Sequence, residues 1–195
     1  MTNELIIQEI ASQFFKVTPK DIIVEQRLMG GMSNYTYVFT LKGKKYTFRI
    51  PGKNAEKFVN RDVESDNIKL VEQFGLNNKT ILLDTITGFK IAEYIEGKPL
   101  SELNPLDYLK EAAEVLHTIH DSSIVSDHDY DPLGRLALYE SHLDEYNYKH
   151  TERYLALKAK WNSLKDTYMN KDKLTLSHGD SQISNFVVTD NGLRL

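Results

Sequence analysis

The chain has no cysteine, which excludes disulfide staples, thiolate metal sites and cysteine nucleophiles. That absence fits a reducing compartment, and the expected location is cytoplasmic. There is no basic surplus either. Twenty-four Lys and Arg stand against 28 Asp and Glu, a formal net charge of −4, so the footprint of a nucleic-acid binder is missing and no nucleic-acid partner is expected. The apolar runs are far too short to span a bilayer, and the N-terminus lacks a basic-then-apolar leader, so no membrane partner is expected. Proline is scarce, 5 of 195 residues, no repeat or low-complexity tract is visible, and the composition sets aside disordered, collagen-like and coiled-coil readings. With 41% hydrophobic and 27% charged residues, the composition is that of a globular chain long enough to bury a real core.

The patterning is mixed. Leu5, Ile6, Ile10 and Phe14 recur at helical spacing behind Asn3, a candidate cap, and Thr18-Pro19 ends that helix. Three strand-like segments follow, over 21–28, 35–41 and 45–50. The second places Tyr35, Tyr37, Phe39 and Leu41 on one face. The third sets Tyr46, Phe48 and Ile50 against Lys45, Thr47 and Arg49, and Lys42-Gly43 makes the turn between them. A helix is expected over 55–74, capped by Asn54 and stopped by Gly75, and then strands over 80–83 and 89–95. Beyond Gly97 the character turns helical. Asn104-Pro105 is a strong start signal for a helix over 106–120, and further helices are expected over 136–146 and 152–168. Short strands are expected over 174–176 and 186–189, followed by an Asp190-Asn191-Gly192 turn and three last residues.

Several residues have the chemistry of phosphoryl transfer. In the segment from Ser177 to Asn185, Asp180 can accept a proton from an attacking hydroxyl, and five positions on Asn185 offers a neutral hard oxygen suited to Mg²⁺. Such a reaction needs both roles close together. The alternative is a turn whose polar side chains merely bond nearby backbone. Gly30-Gly31-Met32-Ser33-Asn34 can bring backbone amides close to an anion, or can be an ordinary hairpin turn. Arg49 on a strand, oriented by Glu64 on the following helix, suits nucleotide phosphates. The alternative is two unrelated surface charges.

The order of these parts is that of a protein-kinase-like phosphotransferase. The sequence resembles choline/ethanolamine kinases and, more distantly, aminoglycoside phosphotransferases. Gly30 to Asn34 is similar to the family's phosphate loop. Phe48-Arg49-Ile50 is similar to the strand where the family uses Arg for the protein-kinase Lys, and Asn60-Arg61 with Glu64 to the segment holding the helical Glu. Ile91 to Gly97 resembles the interlobe hinge, Leu116 to His120 the end of the long helix, and His178-Gly179-Asp180 with Gln182 and Asn185 the catalytic loop. The resemblance runs from about Met29 to the C-terminus.

It implies an α+β, two-lobed protein-kinase-like fold, with an N-lobe over 1–96 carrying an antiparallel sheet and a helix, and an incomplete, mainly helical C-lobe over 97–195. It implies ATP between the lobes, with adenine against hinge backbone from Glu93 to Ile95 and phosphates near Ser33, Asn34 and Arg49. Glu64 would hold Arg49, Asp180 would be the catalytic base or acceptor-orienting group, Gln182 would lie near the phosphates, and Asn185 would bind Mg²⁺. The implied activity is ATP-dependent phosphorylation of a small amino alcohol, choline first. Ethanolamine or an aminoglycoside as acceptor, and a non-catalytic nucleotide-binding module, are the rivals. The family's second metal-binding Asp falls a few residues beyond Leu195 and no D-F-E-like motif is present. The chain is therefore expected to be a fragment, inactive or impaired by itself.

Two further clusters are read as structural. His117 and His120, three apart on a helix, lack further metal ligands. Tyr139, Tyr146, Tyr148, Tyr154 and Trp161 suit helix packing better than a cation cage.

Overall fold

The computed structural model describes residues 2–28, 34–168 and 174–195. The chain forms two compact units. Met1–Ile124 together with Ser177–Leu195 make the first, and Val125–Leu176 the second. The lobe boundary expected at 96/97 falls inside the first unit.

The first unit is built on a five-stranded antiparallel sheet in the order β1-β2-β3-β5-β4. Its strands are β1 (Ile23–Leu28), β2 (Asn34–Leu41), β3 (Lys44–Pro51), β4 (Thr80–Leu83) and β5 (Lys90–Glu93). Lys42 and Gly43 both take positive φ, 51° and 77°, the geometry a tight hairpin between β2 and β3 demands. Alternation then sorts the two faces. Phe39, Tyr46, Phe48 and Ile91 share one face and pack with Ile7 and Ala11 of helix α1 (Asn3–Phe15) in the main core. Phe39 stacks on Tyr46 at 5.3 Å between ring centroids. Tyr37 and Leu41 join this core as expected, whereas Tyr35 is 39% exposed under the Arg27 guanidinium. The other face carries Thr36, Thr47, Arg49, Lys90 and Ala92 in cross-strand register.

Several local expectations are corrected. Thr2, not Asn3, caps α1, accepting from the Leu5 amide. The long helix over 55–74 is broken. Ala55–Lys57 is a single 3-10 turn, and α2 (Arg61–Val71) begins only after Asn60, whose side-chain Oδ1 accepts from the amides of Asp62 and Val63. Asn54 sits at φ 63° and makes no side-chain cap. Gly75, at φ 61°, does end the helical stretch. Asn104-Pro105 opens a 3-10 turn, and α3 (Leu109–His120) follows it. His117 Nδ1 lies 2.9 Å from Asp121 Oδ2 at the end of α3, and no group of three or more metal-suited side chains occurs among the described residues.

No strand forms over 174–176. Instead β6 (Lys98–Pro99), which the sequence analysis lacks, pairs with β7 (Val187–Thr189), and β7 pairs with β8 (Gly192–Arg194). Gly97 lets this happen, because a Cβ there would lie 2.7 Å from Val187 Cγ1 and against the Val188 carbonyl oxygen. Leu100, Val115, Phe186 and Leu193 form a second core beneath these strands.

In the second unit, α4 (Pro132–Asp144) starts on an Asp131-Pro132 cap, and α5 (Glu152–Tyr168) matches its expected span. Glu140 of α4 accepts from the Tyr154 hydroxyl at 2.5 Å and the Lys158 ammonium at 2.6 Å. Of the aromatic set expected to pack the two helices, Tyr139, Tyr146, Tyr148 and Trp161 are exposed, and Tyr154 meets α4 through its hydroxyl. No helix among the described residues is long and apolar enough to cross a membrane.

Phe39 is fully buried between sheet and α1. Phe39→Ala is expected to lower stability by about 3–5 kcal/mol, read from the shift in urea midpoint.

Candidate active site

The expected site residues fall into two constellations, both in the first unit. The first lies on the polar face of the sheet. Alternation puts Arg49 there, and α2 brings Glu64 to meet it. Arg49 Nη1 donates to Glu64 Oε1 and Nη2 donates to Oε2 at 3.1 Å, a fork-to-fork pair. Arg49 Nη2 also approaches the Gly88 carbonyl at 3.4 Å. Both partners are largely buried, with side chains 16% and 19% exposed, so the pairing is worth more than a surface contact.

Arg61 completes the cluster. Its Nη1 donates to Glu64 Oε2 at 2.7 Å, one turn along α2. Gly88, at φ 74°, allows this packing, since a Cβ there would lie 2.7 Å from Pro51 Cγ and 2.9 Å from Arg61 Nε. Burial alone would raise the Glu64 carboxyl. The bonds from Arg49 and Arg61 outweigh it and hold the group below its ordinary range. Asn34 opens β2 opposite Pro51, two residues from Thr36, which pairs with Arg49. Ser33, with Gly30 and Gly31, lies outside the described residues.

The second constellation is the loop before β7. Gly179 takes φ 77°, and the chain turns tightly, with the Gln182 amide donating to the Asp180 carbonyl at 2.9 Å and the Asn185 amide to the Gln182 carbonyl at 2.9 Å. The side chains converge on one carboxylate. Gln182 Nε2 donates to Asp180 Oδ1 at 2.6 Å, and Asn185 Nδ2 donates to Asp180 Oδ2 at 3.1 Å and to its carbonyl at 2.7 Å. Phe186, buried in the second core, anchors the loop, and its carbonyl accepts from the Leu100 amide at 2.9 Å. Gln182 is thus a partner of Asp180 in this structure. With the Asn185 amide nitrogen turned to Asp180, the amide oxygen remains for another ligand.

The hinge-like segment is tied down by its side chains. Lys44 Nζ donates to Glu93 at 2.6 Å and Lys45 Nζ to Glu96 at 3.0 Å. The Glu93 amide donates to the Lys79 carbonyl and the Tyr94 amide to the Lys45 carbonyl. The Ile95 amide has no backbone partner among the described residues. Behind this segment lies an open cavity of about 390 Å³, lined by Lys79, Glu93, Ile95, Asp190 and Arg194 among others.

Sequence reasoning found Arg49, Glu64 and the Asp180 loop. It missed Lys90 as a neighbour of Arg49. The alternation Lys90, Ile91, Ala92 signals that Lys90 leaves the core face, but only the strand register places it beside Arg49.

An antiparallel five-stranded sheet with a helix bridged to its third strand, followed by helices and a polar loop before a short hairpin, is the α+β protein-kinase-like fold. Solved structures agree. Choline kinase LicA from Streptococcus pneumoniae superposes with a TM-score of 0.75 at 26% identity, over 97% of this chain and 66% of that one. An aminoglycoside phosphotransferase held with streptomycin and ATP superposes with a TM-score of 0.64 at 17% identity, over 100% of this chain and 69% of that one, a likeness of fold alone. The family model for choline/ethanolamine kinase matches residues 25–195, and the chain belongs to that family. Protein LicA of Haemophilus influenzae is 32% identical over 100 residues, 50% of this chain and 30% of that protein. The chain thus spans less than two thirds of the length of these LicA relatives.

Removing the Glu64 charge would leave two guanidiniums facing each other. Glu64→Gln is expected to cost about 3 kcal/mol at neutral pH. Because the folded carboxyl titrates below its unfolded value, the stability it supplies is full above the ordinary carboxylate range and is lost as pH falls through the lowered value. Urea midpoints taken from neutral to strongly acid pH are expected to show the gap between wild type and Glu64→Gln closing on the acid side.

Proposed function

We propose that this protein is an ATP-dependent phosphotransferase acting on the hydroxyl of a small amino alcohol, choline first. The observation that carries the reading is the Asp180 carboxylate, oriented by amide donors from Gln182 and Asn185 within one loop of a choline/ethanolamine kinase family member. A carboxylate fixed in this way can take the proton of an acceptor hydroxyl or hold that hydroxyl in line. Choline is favoured over ethanolamine and aminoglycosides by the likeness to the S. pneumoniae protein, itself described as a choline kinase. A LicA structure is also known in complex with AMP.

On this reading Arg49, kept in place by Glu64, meets nucleotide phosphate, with Asn34 and Ser33 at the adjoining loop. Adenine lies against the hinge, where the Ile95 amide offers a donor. The hard oxygens of Asp180 and Asn185 fit Mg²⁺, and the Asn185 amide oxygen is the ligand this chain would offer. The ion supplies charge neutralisation for the transferring phosphoryl group. On this reading residues 1–96 are the N-lobe and residues 97–195 belong to the C-lobe.

The test is coupled ADP release by the protein, with choline, ethanolamine and an aminoglycoside. Turnover is expected with choline, and Asp180→Asn is expected to lower kcat by about 10²–10⁴ with little change in nucleotide affinity. Unchanged kcat in Asp180→Asn would remove the base from the mechanism. Nucleotide binding without transfer to any acceptor would make the protein a non-catalytic nucleotide-binding module.

A further inference from the structure

The polar face around Arg49 holds more positive charge than its carboxylate offsets. Glu64 is shared by Arg49 and Arg61, and even so Arg49 Nε and Arg61 Nη2 are buried with no hydrogen-bond partner. The Arg61 side chain is only 9% exposed. Directly across the ladder from Arg49, on β5, stands Lys90. It is half-buried, and its ammonium forms no ion pair or hydrogen bond with a described residue. The charged groups that bear on it are Arg49 from β3 and Glu64 from α2. Its β4 neighbour, Leu83, is uncharged. Burial first, and then the Arg49 guanidinium, bring Lys90 down to about 8, and Glu64 offsets them only in part.

A half-buried ammonium across the ladder from a guanidinium, with the carboxylate beside them already shared by two arginines, is an arrangement that folding alone does not favour. It is relieved by an anion. Thr36, Arg49 and Lys90 form a row across β2, β3 and β5, and β2 begins at Asn34, directly after the glycine-rich segment. Arg49 already has both its terminal nitrogens on Glu64, so a multiply charged ligand needs a second cation whose donors are uncommitted.

We propose that Lys90 is that cation, a second phosphate-binding residue beside Arg49 that takes an anionic oxygen of the nucleotide's polyphosphate. The proposal rests on the nucleotide reading above and adds a residue to it. Lysine suits this place because its compact ammonium has three rotatable donors and can pass between charge states as the ligand arrives. Without nucleotide, Lys90 is partly neutral near pH 8. With polyphosphate beside it, the charged form is favoured, so binding draws in a proton.

The test is titration calorimetry of the 195-residue chain with ATP and with adenosine, at pH 7 and pH 9, for wild type, Lys90→Met and Lys90→Arg. Wild type is expected to bind ATP more weakly at pH 9 than at pH 7. Lys90→Met is expected to lose about tenfold in ATP affinity at pH 7 with adenosine unchanged, a loss set by one charge-assisted contact. Lys90→Arg is expected to keep its ATP affinity at both pH values. At pH 8, measurement in two buffers of different ionisation enthalpy is expected to show uptake of about half a proton per ATP in wild type and much less in both variants. Equal ATP affinity in wild type and Lys90→Met, an equal loss for ATP and adenosine, or proton uptake that survives both substitutions would each overturn the proposal and leave the nucleotide reading standing. A wild-type chain that binds neither ATP nor adenosine would overturn both.

Discussion

A single carboxylate, Glu64, sets the electrostatics of the sheet's polar face. Arg49 and Arg61 reach it from different elements, one from the middle of the sheet and one from the first turn of α2. Charges so far removed from water are tolerable only when paired with good geometry, and here the bidentate fork of Arg49 supplies that geometry. The packing follows from it. The first turn of α2 must come close enough for Glu64 to span both guanidiniums, and the β4–β5 connection must expose a bare backbone at Gly88 so that Arg61 can lie on it. The apolar face constrains the same strand from the other side. Phe48 and Ile50 are locked in the core with α1, so Arg49, between them, has no choice of direction.

The Asp180 loop is held by different forces. It has no buried ion pair. Short-range amide bonds shape it, and a buried Phe186 immediately follows it, so the loop's polar side chains are presented at the surface by an apolar anchor. The anchor in turn depends on Gly97, which lets β7 run alongside the chain that leaves the hinge. The segment after β5 and the Asp180 loop are therefore joined through one glycine and a two-residue strand, features with almost no hydrophobic signature.

That contrast explains what could be read from the sequence. The β2–β3 hairpin was legible because its turn chemistry and its alternation agree, Lys42-Gly43 between two runs of aromatic and β-branched residues. Arg49, Glu64, Asp180 and Asn185 were legible because each motif is local and the order of motifs is distinctive. The broken helix was not. Asn54 has the side chain of a cap, but with a left-handed backbone it makes none, and α2 starts at Asn60. Strand β6 escaped notice because two residues carry no period, and the strand expected over 174–176 failed because alternation cannot supply a pairing partner. Of the aromatic positions of α4 and α5, Tyr154 joins the helices through a hydroxyl bond to Glu140, beside the Lys158 ammonium, and not by ring packing. Aromatic content alone does not say which groups meet. Lys90 belongs to the same class of miss, since register is a property of the sheet rather than of either strand.

Placing cations and carboxylate on separate supports has a chemical logic for phosphoryl transfer. A polyphosphate is drawn to cations and repelled by a carboxylate, yet the acceptor hydroxyl needs that carboxylate near the phosphorus. A rigid sheet suits the cations, because their mutual repulsion would otherwise drive flexible side chains apart. Here Arg49 and Lys90 are opposed across a ladder whose strand spacing is fixed by backbone hydrogen bonds. The carboxylate needs orientation more than confinement, and the amides of Gln182 and Asn185 provide it by donating to its two oxygens while the loop remains open to solvent. An enzyme that carried both groups on one flexible segment would let Asp180 neutralise the cations directly. On the proposed function, separation by fold would keep each charge for the substrate rather than for the other.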